Sequence, residues 1–300
     1  MKKILVIGSL NMDMKISLDN IPRPGETLIA SGLEFNQGGK GANQAVAASR
    51  LGGNVTMMGS VGNDSNGDLL IENLAKSGVN TKLIKHSASP SGNAIINVEK
   101  SGQNSIVVIP GSNLDCDIDY IKANDSEIKN ADIILIQHEI PLDAVFYAIE
   151  RAKELGKIVI LNPAPAKEIP EKIYKALDWI IPNETELSAI SNLLCDTIEQ
   201  IKIAANSVLK KGCKNVIVTL GDKGALLCNN DLCEIYSGRQ VKAVDTTAAG
   251  DTFCGAFAVA LSENKNYKDA IEFANRAAAI SVTRPGAQSS IPMRTEMDKF

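Results

Sequence analysis

An aspartate occupies an unusual setting near the C-terminal end of the chain, in the stretch DTTAAGDTFCGAFAVAL (245–261). Asp251 follows Ala248, Ala249 and Gly250 and precedes an apolar run that predicts a buried helix. Small side chains leave backbone N–H groups uncovered at a helix start, where the dipole favours negative charge. The stretch therefore predicts a site for developing phosphate charge, with Asp251 placed to accept the proton of an attacking hydroxyl. An N-cap role explains the same aspartate equally well.

A second glycine-rich segment, NQGGKGAN (36–43), leads into the amphipathic stretch QAVAASRLG. Gly38, Gly39 and Gly41 permit close approach of the backbone to a ligand. Lys40 and Asn43 supply donors of the kind that fix sugar hydroxyls. A glycine-rich turn before a helix is common, so this segment alone is weak evidence for a site.

Two polar residues follow the first apolar run, KILVIG (3–8). Asn11 and Asp13 are expected at the carboxyl edge of the sheet, where α/β proteins bind ligands. A carboxylate with an amide suits vicinal hydroxyls, although Asp13 also has the simpler role of satisfying backbone groups in a turn.

Apolar runs alternate with helix-period segments along most of the chain, which predicts an α/β core with a mainly parallel sheet covered on both faces. The stretches 14–35 and 92–110 instead show alternating residues around Pro/Gly and Ser-Gly turns, typical of antiparallel ribbons. We interpret them as a β lid over a ligand, with 1–13, 36–91 and 111–300 forming the nucleotide- and sugar-binding core. Two ordinary surface hairpins are the alternative.

Composition excludes several classes of function. The 300 residues carry a net charge of -4, which gives no basic footprint for nucleic acid. The six cysteines have no C-x-x-C spacing, so most are expected to be reduced and buried. No apolar stretch is long enough to span a membrane, and a cytoplasmic location is expected. Neither the P-loop nor the dinucleotide glycine fingerprint is present.

Taken together, these segments resemble the ribokinase branch of the ribokinase-like sugar kinase family over essentially the whole chain. The matching segments, in order, are GSLNMD, PGET, GGKGANQAVAASRLG, LNPAPA, PNETE, TLGDKG, DTTAAGDTF and TRPGAQSSIP. The resemblance implies a three-layer α/β/α core with a small β-sheet lid that clasps a homodimer. It also implies ATP-dependent phosphorylation of the O5 hydroxyl of D-ribose.

The resemblance assigns roles residue by residue. Asp251 is the expected catalytic base, and the amides of Ala248, Ala249, Gly250 and Asp251 form the anion hole. The sugar contacts implied are Asn11, Asp13, Gly39, Lys40, Gly41, Asn43, Glu139 and Asp251. The ATP site implied comprises Asn183, Thr219, Gly221, Gly224, Gly250 and Asn275.

Two cations are expected on the same grounds. Glu186 matches an element associated with the Mg²⁺ environment, acting through water, although Asn183 and Glu186 also fit a simple helix capping box. A potassium site is implied at Asp245, Thr247, Ser281, Arg284, Gly286 and Ser290.

His138, beside Glu139, is expected to have no catalytic role.

Three alternatives remain open. The same chemistry on 2-deoxyribose, fructose or a nucleoside is the nearest, although few aromatic residues are present to clamp a base. A sugar-binding homologue without catalysis is less favoured because Asp251 and its glycine turn are intact. An NAD-linked oxidoreductase is disfavoured because the first βα turn lacks the glycine pattern.

Overall fold

The computed structural model describes residues 1–101 and 103–300; Gly102, inside the second predicted ribbon, lies outside the described residues. The strands are β1 Lys3–Ile7, β2 Asn11–Leu18, β3 Gly32–Gly38, β4 Asn54–Gly62, β5 Asn80–Ser87, β6 Gly92–Glu99, β7 Asn104–Ile109, β8 Ile133–Ile136, β9 Ile158–Leu161, β10 Trp179–Ile180, β11 Asn215–Thr219, β12 Gly224–Asn229 and β13 Cys233–Ser237. The helices are α1 Lys40–Arg50, α2 Ser65–Lys76, α3 Ile118–Ala123, α4 Asp125–Asn130, α5 Leu142–Glu154, α6 Glu171–Tyr174, α7 Glu184–Ser191, α8 Ile198–Lys210, α9 Ala249–Ser262, α10 Tyr267–Ser281 and α11 Arg294–Met297. Short 3₁₀ turns span Gly111–Asp115, Gly221–Lys223 and Gln288–Ser290.

The large sheet has nine strands in the order β13-β12-β11-β10-β9-β8-β1-β4-β5. The seven strands from β11 to β5 in this order pair in parallel with their neighbours. Strands β12 and β13 extend the β11 edge as an antiparallel hairpin. The central strands are apolar on both faces, as a sheet covered by helices on each side requires. The predicted three-layer, mainly parallel core is confirmed. The hairpin β12–β13, strand β5 and helix α10 were not among the elements that the sequence pattern indicated.

Two apolar cores lie on the two faces of the large sheet. One includes Ala45 of α1, Phe257 of α9 and Ala274 of α10, and the other includes Ala148 of α5 and Val208 of α8. Close packing on both faces fixes the strands rigidly. The loops that leave the carboxyl ends of β1, β8, β9, β10 and β11 therefore open at one well-defined edge.

A smaller sheet of four strands has the order β3-β2-β6-β7. Each predicted ribbon is antiparallel within itself, as expected, and the two ribbons join through a parallel pairing of β2 with β6 that the sequence did not indicate. Strand β2 begins at Asn11 and strand β3 ends at Gly38, and these two residues pair. The small sheet therefore extends beyond the predicted lid segment 14–35 at both ends. Asn11 and Asp13 consequently stand on the small sheet itself and not in a turn after β1.

Helices α1 and α9 pack in direct backbone contact. A Cβ atom on Gly255 of α9 would lie 2.7 Å from the Gln44 carbonyl oxygen and 2.9 Å from the Ala48 nitrogen. No side chain larger than hydrogen fits there without displacing backbone. This contact brings the first turn of α9 alongside the N-terminal half of α1.

Four cysteines, Cys116, Cys195, Cys213 and Cys254, are free and buried, as most were expected to be. Cys228 and Cys233 instead form a disulfide across the β12–β13 hairpin. Within the described residues, no helix combines the length and apolar character needed to cross a membrane.

Candidate active site

Asp251 lies in the first turn of α9 with only 7% of its surface exposed. Its carboxylate accepts two hydrogen bonds from side-chain amides of α1. Asn43 Nδ2 donates to Oδ2 at 2.9 Å, and Gln44 Nε2 donates to Oδ1 at 3.0 Å. A buried carboxylate is tolerated only when such donors replace water. The aspartate does not cap its own helix: the N-cap of α9 is Ala248, and the helix start has no side-chain cap.

The start of α9 presents bare backbone donors. Ala248 adopts a left-handed conformation with φ 59, which turns the chain into the helix, and its carbonyl accepts from Thr252. The Ala249 N–H donates to the Thr246 carbonyl at 3.2 Å. The N–H groups of Ala248, Gly250 and Asp251 have no acceptor among the residues that the structure describes. Of the predicted anion hole, these three amides are the donors left for a ligand.

A cavity of about 190 Å³ lies in front of this helix start. It brings together residues that are far apart in the sequence and come from the carboxyl ends of several strands. Its lining residues are Lys40, Asn162, Ala164, Ile181, Asn183, Glu186, Thr219, Thr246, Ala248, Ala249, Gly250, Asp251 and Cys254. The predicted base, the anion-hole residues and part of the predicted ATP set thus share one cavity, whose placement follows the rule for open α/β sheets.

The glycine-rich segment packs against the loop after β1. Gly39 has φ 89, and a Cβ on it would lie 2.8 Å from the Asn11 nitrogen. A Cβ on Gly41 would lie 2.6 Å from Gly8 and Ser9 backbone atoms. Close backbone contact, as well as ligand approach, therefore accounts for glycine at both positions.

Glu139 holds the start of α1. Its Oε2 accepts from Ser9 Oγ at 2.5 Å and from the Lys40 backbone N–H at 3.1 Å. The Lys40 side chain lines the cavity. The negative charge of Asp251 is the main cause that raises the Lys40 pKa; burial acts to lower it, and the charges of Glu139 and Glu186 raise it further. The ammonium group thus stays charged among carboxylates.

Asn11 is buried, and its amide is oriented by a residue that the sequence analysis missed. Asn113 Nδ2 donates to Asn11 Oδ1 at 2.7 Å, while Asn113 Oδ1 accepts from the Leu10 N–H at 2.8 Å. Because Oδ1 of Asn11 is engaged in this way, its Nδ2 is left as the donor for a ligand.

Asp13 has the most perturbed carboxyl group near the cavity. Burial, followed by the nearby charges of Glu139 and Asp251, raises its pKa to about 7. Asp13 lines a second cavity of about 580 Å³ between the small sheet and the segments 243–247 and 285–289. Thr246 lines both cavities, so the two spaces adjoin. A carboxyl group kept from water at this junction is suited to a ligand that brings hydroxyl donors.

Asn183 and Glu186 form the capping box that was one of the two predicted interpretations. Asn183 Oδ1 accepts from the Glu186 N–H at 2.7 Å, and Glu186 Oε2 accepts from the Asn183 N–H at 2.9 Å. Both residues also line the smaller cavity, and burial raises the pKa of Glu186. The capping role therefore does not remove the Glu186 carboxyl from the site.

The remaining predicted ATP residues lie at the β12–β13 hairpin. Gly221 has φ 59 and open space around its Cα, while Gly224 packs against the Tyr236 carbonyl. Asn275 Nδ2 donates to the same carbonyl at 3.0 Å. Gly224 and Asn275 thus meet at Tyr236, and neither these two nor Gly221 lines the smaller cavity.

The predicted potassium residues are only partly joined. Asp245 Oδ1 accepts from the Thr247 N–H and hydroxyl, and Oδ2 accepts from the Gly286 N–H at 2.9 Å. Burial acts to raise the Asp245 pKa, but these hydrogen bonds outweigh it and lower the pKa. The side chains of Ser281 and Ser290 bond to carbonyls within their own turns, and Arg284 pairs with Glu296. Arg284 therefore has only its backbone carbonyl to offer a cation, whereas the two serine hydroxyls keep their oxygen lone pairs.

Comparison with known proteins places this geometry in a family. The model of the pfkB family of carbohydrate kinases matches residues 1–294. The chain belongs to that family. A ribokinase of Haemophilus influenzae is 42% identical over 100% of this chain and 98% of its own length. A deoxyribokinase of Salmonella typhimurium is 39% identical over 99% of this chain and 98% of its own. The structure of Arabidopsis thaliana ribokinase complexed with ribose and ATP has a TM-score of 0.93 at 34% identity, covering 99% of this chain and 98% of that one.

The kinase contains polar site residues that sequence reasoning missed. Gln44 immediately follows Asn43, but in the sequence it only opens the amphipathic stretch QAVAASRLG. Asn162 follows β9 within the segment LNPAPA. Gln137 follows β8, and Gln288 donates to Asn43 Oδ1 at 3.1 Å. A polar residue at the end of an apolar strand is the available signal for Gln137 and Asn162. For Gln288 there is no local signal.

His138 of the kinase is fully buried, and burial lowers its pKa to about 4. Its Nδ1 lies 3.3 Å from the Pro165 carbonyl oxygen, and it does not line either cavity described above. The neutral imidazole is thus a buried side chain of the strand end.

Asp13 predicts a measurable effect of pH on stability. Its carboxyl pKa rises from 3.8 in the unfolded chain to about 7 in the fold, so the folded protein binds this proton more tightly. The contribution of Asp13 to the free energy of unfolding is therefore lost progressively as pH rises from about 4 to about 7. Asp13→Asn removes the titrating group and should raise the free energy of unfolding at pH 8 by on the order of 2–4 kcal/mol.

Urea unfolding of both proteins at pH 5 and pH 8 measures this difference. The exposed Asp68 on α2 supplies a matched control, Asp68→Asn, in which the dependence on pH stays that of the native protein. Equal pH dependence in Asp13→Asn and the native kinase would contradict the burial of a raised-pKa carboxyl at this position.

Proposed function

We propose that this kinase transfers the terminal phosphoryl group of ATP to the O5 hydroxyl of D-ribose, giving D-ribose 5-phosphate. The single observation that carries the proposal is the shared cavity in front of α9. There the Asp251 carboxylate, the free N–H groups of Gly250 and Asp251, and the Lys40 ammonium group lie together. An acceptor for a hydroxyl proton and donors for phosphate oxygens are the groups that phosphoryl transfer needs side by side.

The sugar is proposed to bind where the two cavities adjoin. Asp13 and Glu139 supply carboxylate acceptors, and Asn11 supplies an amide donor fixed by Asn113. Hydroxyl groups of a bound sugar would donate to the Asp13 carboxylate and replace the water that burial removes. The backbone at Gly39 and Gly41 and the side chains of Lys40 and Asn43 complete the proposed sugar set.

Asp251 acts in this proposal as the general base. Its carboxylate takes the proton of the O5 hydroxyl as that oxygen attacks, and the amides at the helix start bind the negative charge that develops on the transferring group. Positioning contributes most of the acceleration, because the protein forms no covalent bond in direct transfer. ATP is proposed to lie along Asn183, Thr219, Gly221, Gly224 and Asn275, with its phosphates toward Gly250.

The site also fits the two cations expected of such an enzyme. Mg²⁺, carried in with ATP, would neutralise phosphate charge, and the half-buried carboxyl of Glu186 is suited to hold it through water. Among the described residues no cluster of His, Cys, Asp and Glu forms a larger ligand set. Asp245, which has a lowered pKa and no ion-pair partner in the described structure, suits a monovalent cation with nearby carbonyls. Potassium is proposed to order the 243–247 segment at the start of α9.

The second candidate acceptor is 2-deoxyribose. The observation that favours it is the Salmonella typhimurium deoxyribokinase, which is nearly as similar to this chain as the ribokinase of Haemophilus influenzae. Ribose is preferred because a carboxylate at Asp13 beside the amide of Asn11 suits two neighbouring hydroxyls.

An acceptor panel tests the proposed substrate. With ATP and Mg²⁺, kcat/KM is expected to be at least about tenfold higher for ribose than for 2-deoxyribose, fructose or adenosine, equivalent to about 1.4 kcal/mol. Rates of ADP release in potassium salts should exceed those in sodium salts. A higher kcat/KM for another acceptor would replace ribose while leaving the kinase chemistry intact, and equal rates in the two salts would contradict the potassium site.

Removal of the base carboxylate tests the mechanism. Asp251→Asn is expected to lower kcat by about 10²- to 10⁴-fold, because the amide cannot accept the hydroxyl proton. The KM values for ribose and ATP should change far less than kcat, since the side chain keeps its size, although its NH₂ group leaves one of the donors Asn43 and Gln44 without an acceptor. Steady-state kinetics measure both quantities, with exposed Asp68→Asn as a control of unchanged kcat. Near-native turnover of Asp251→Asn would exclude the proposed base.

The small sheet is further proposed to close over the sugar and to join two copies of the chain. Its strand β7 exposes a run of large apolar side chains, with Ile106 at 55% and Val107 at 56%. Leu33 and Phe35 of β3, on the opposite edge, are equally exposed at 57%. Exposed apolar edge strands of this kind gain stability by pairing. A cytoplasmic location, without nucleic-acid or membrane partners, remains a prediction.

Ile106→Lys tests the proposed dimer. The added charge should weaken self-association at least about tenfold, because it must lose water in the interface. Sedimentation velocity across a range of concentrations gives the dissociation constants. Ile203→Lys is the matched control, since Ile203 is an exposed isoleucine of α8 at 62%. A native protein that is monomeric at working concentration, or equal effects of the two changes, would contradict this interface.

A further inference from the structure

The two oxygens of the Asp251 carboxylate are held by different residues of α1. Asn43 reaches Oδ2, and Gln44 reaches Oδ1. Asn43 is one of the residues proposed to meet the sugar, and its own Oδ1 is bound by Gln288. Neither amide lines the cavities described above, but Asn43 is 6% exposed whereas Gln44 is fully buried. The two amides therefore differ in their access to a ligand although they hold the same carboxylate.

The Gln44 amide is fixed at three points. Its Nε2 donates to Asp251 Oδ1 at 3.0 Å and to Asn162 Oδ1 at 3.1 Å, and its Oε1 accepts from Gln137 Nε2 at 2.6 Å. Rotating the amide by half a turn would place Oε1 against the Asp251 carboxylate and Nε2 against the Gln137 donor. Both contacts are repulsive, so the network permits only one orientation.

One partner of Gln44 is hydrogen-bonded to the fold, and the other, Gln137, is held by packing, since its Oε1 has no hydrogen-bond partner among the described residues. Asn162 Nδ2 donates to the Ile181 carbonyl at 2.8 Å, and Gln137 follows β8 with its side chain fully buried. The backbone of Gln44 is anchored as well, because its carbonyl oxygen lies against Gly255 in the contact of α1 with α9. The amide is thus rigid with respect to both the large sheet and the helix that carries Asp251.

From this arrangement we propose that Gln44 is a positioning residue for phosphoryl transfer. Gln44 donates to Oδ1 of Asp251 from the protein interior. In this proposal Oδ2 therefore keeps its direction toward the acceptor hydroxyl even when Asn43 forms a hydrogen bond to the sugar. This inference rests on the proposed role of Asp251 as the base. Gln137 acts through Gln44, because it contacts the amide and not the carboxylate.

Gln44→Met tests the proposal, since methionine keeps the volume and removes the donor. The kcat is expected to fall about 10- to 100-fold, the effect of losing one buried hydrogen bond to a charged group. The KM values for ribose and ATP should stay within about threefold of native, because Gln44 contacts neither ligand in the proposal. Gln137→Met should give a smaller loss of kcat, and adding it to Gln44→Met should cause no further loss.

A buried amide far from the site provides the control. Asn215 at the start of β11 is 8% exposed and donates to the Asp178 carbonyl at 2.9 Å. Asn215→Leu should lower thermal stability as Gln44→Met does, without changing kcat. If Gln44→Met fails to fold, Gln44→Leu serves instead, because leucine also fills the site with apolar atoms and offers Asp251 no hydrogen-bond donor. The same loss of kcat is expected from it.

The Asp251→Asn background separates the two proposals. If Gln44 acts through Asp251, Gln44→Met causes no further loss of kcat once the carboxylate is gone. An unchanged kcat in Gln44→Met and Gln44→Leu, with kcat strongly lowered in Asp251→Asn, would overturn the role of Gln44 and leave the base intact. An equal further loss in the Asp251→Asn background would show a purely structural role and also overturn it. An active Asp251→Asn would instead exclude the proposed base itself.

Discussion

The backbone contact of α1 with α9 at Gly255 is the constraint on which the candidate site depends. It leaves no room for a side chain, and it sets the Asn43 and Gln44 amides against the Asp251 carboxylate. A wider separation of the two helices would leave that carboxylate buried without donors, at a cost of several kcal/mol. The packing of the two helices therefore also determines which hydrogen-bond donors the proposed base has.

The site also concentrates carboxyl groups that would be more stable in water. The pKa of Asp13 is raised to about 7, and burial raises the pKa of Glu186. Lys40 remains charged near Asp251, Glu139 and Glu186. The two apolar cores on either side of the nine-stranded sheet offset this unfavourable arrangement. Sugar hydroxyls and phosphate oxygens, with their cations, are the partners that would relieve it. Substrate binding and the relief of local electrostatic strain then coincide.

The sequence predicted those parts of the fold that depend on local pattern. Continuous apolar runs located the central strands, and Pro/Gly turns located both ribbons of the small sheet. The pattern did not indicate the parallel pairing of β2 with β6, because the starts of those strands, Asn11 and Gly92, are 81 positions apart and only tertiary packing brings them together. The antiparallel hairpin β12–β13 was missed for a different reason, since β13, CEIYS, is short, largely exposed and without a continuous apolar run.

Within the site, residue type predicted the charged groups better than the amides. The charged groups Asp251, Lys40 and Glu186 line one cavity together with Asn183. The orienting amides carry no charge: Asn113 and Gln137 lie outside the matching segments, and Gln44 lies inside GGKGANQAVAASRLG but received no role there, so their roles emerge only from the fold. The assignment of Gly221, Gly224 and Asn275 to ATP remains a prediction, since they lie at the neighbouring hairpin.

A crystal structure of the kinase with ribose and a non-hydrolysable ATP analogue tests the central claim most directly. The account predicts O5 of ribose within about 3 Å of Oδ2 of Asp251, with Gln44 still bound to Oδ1 and a phosphate oxygen at the N–H groups of Gly250 and Asp251. An O5 hydroxyl directed at another group, or a carboxylate turned away from Gln44, would contradict it.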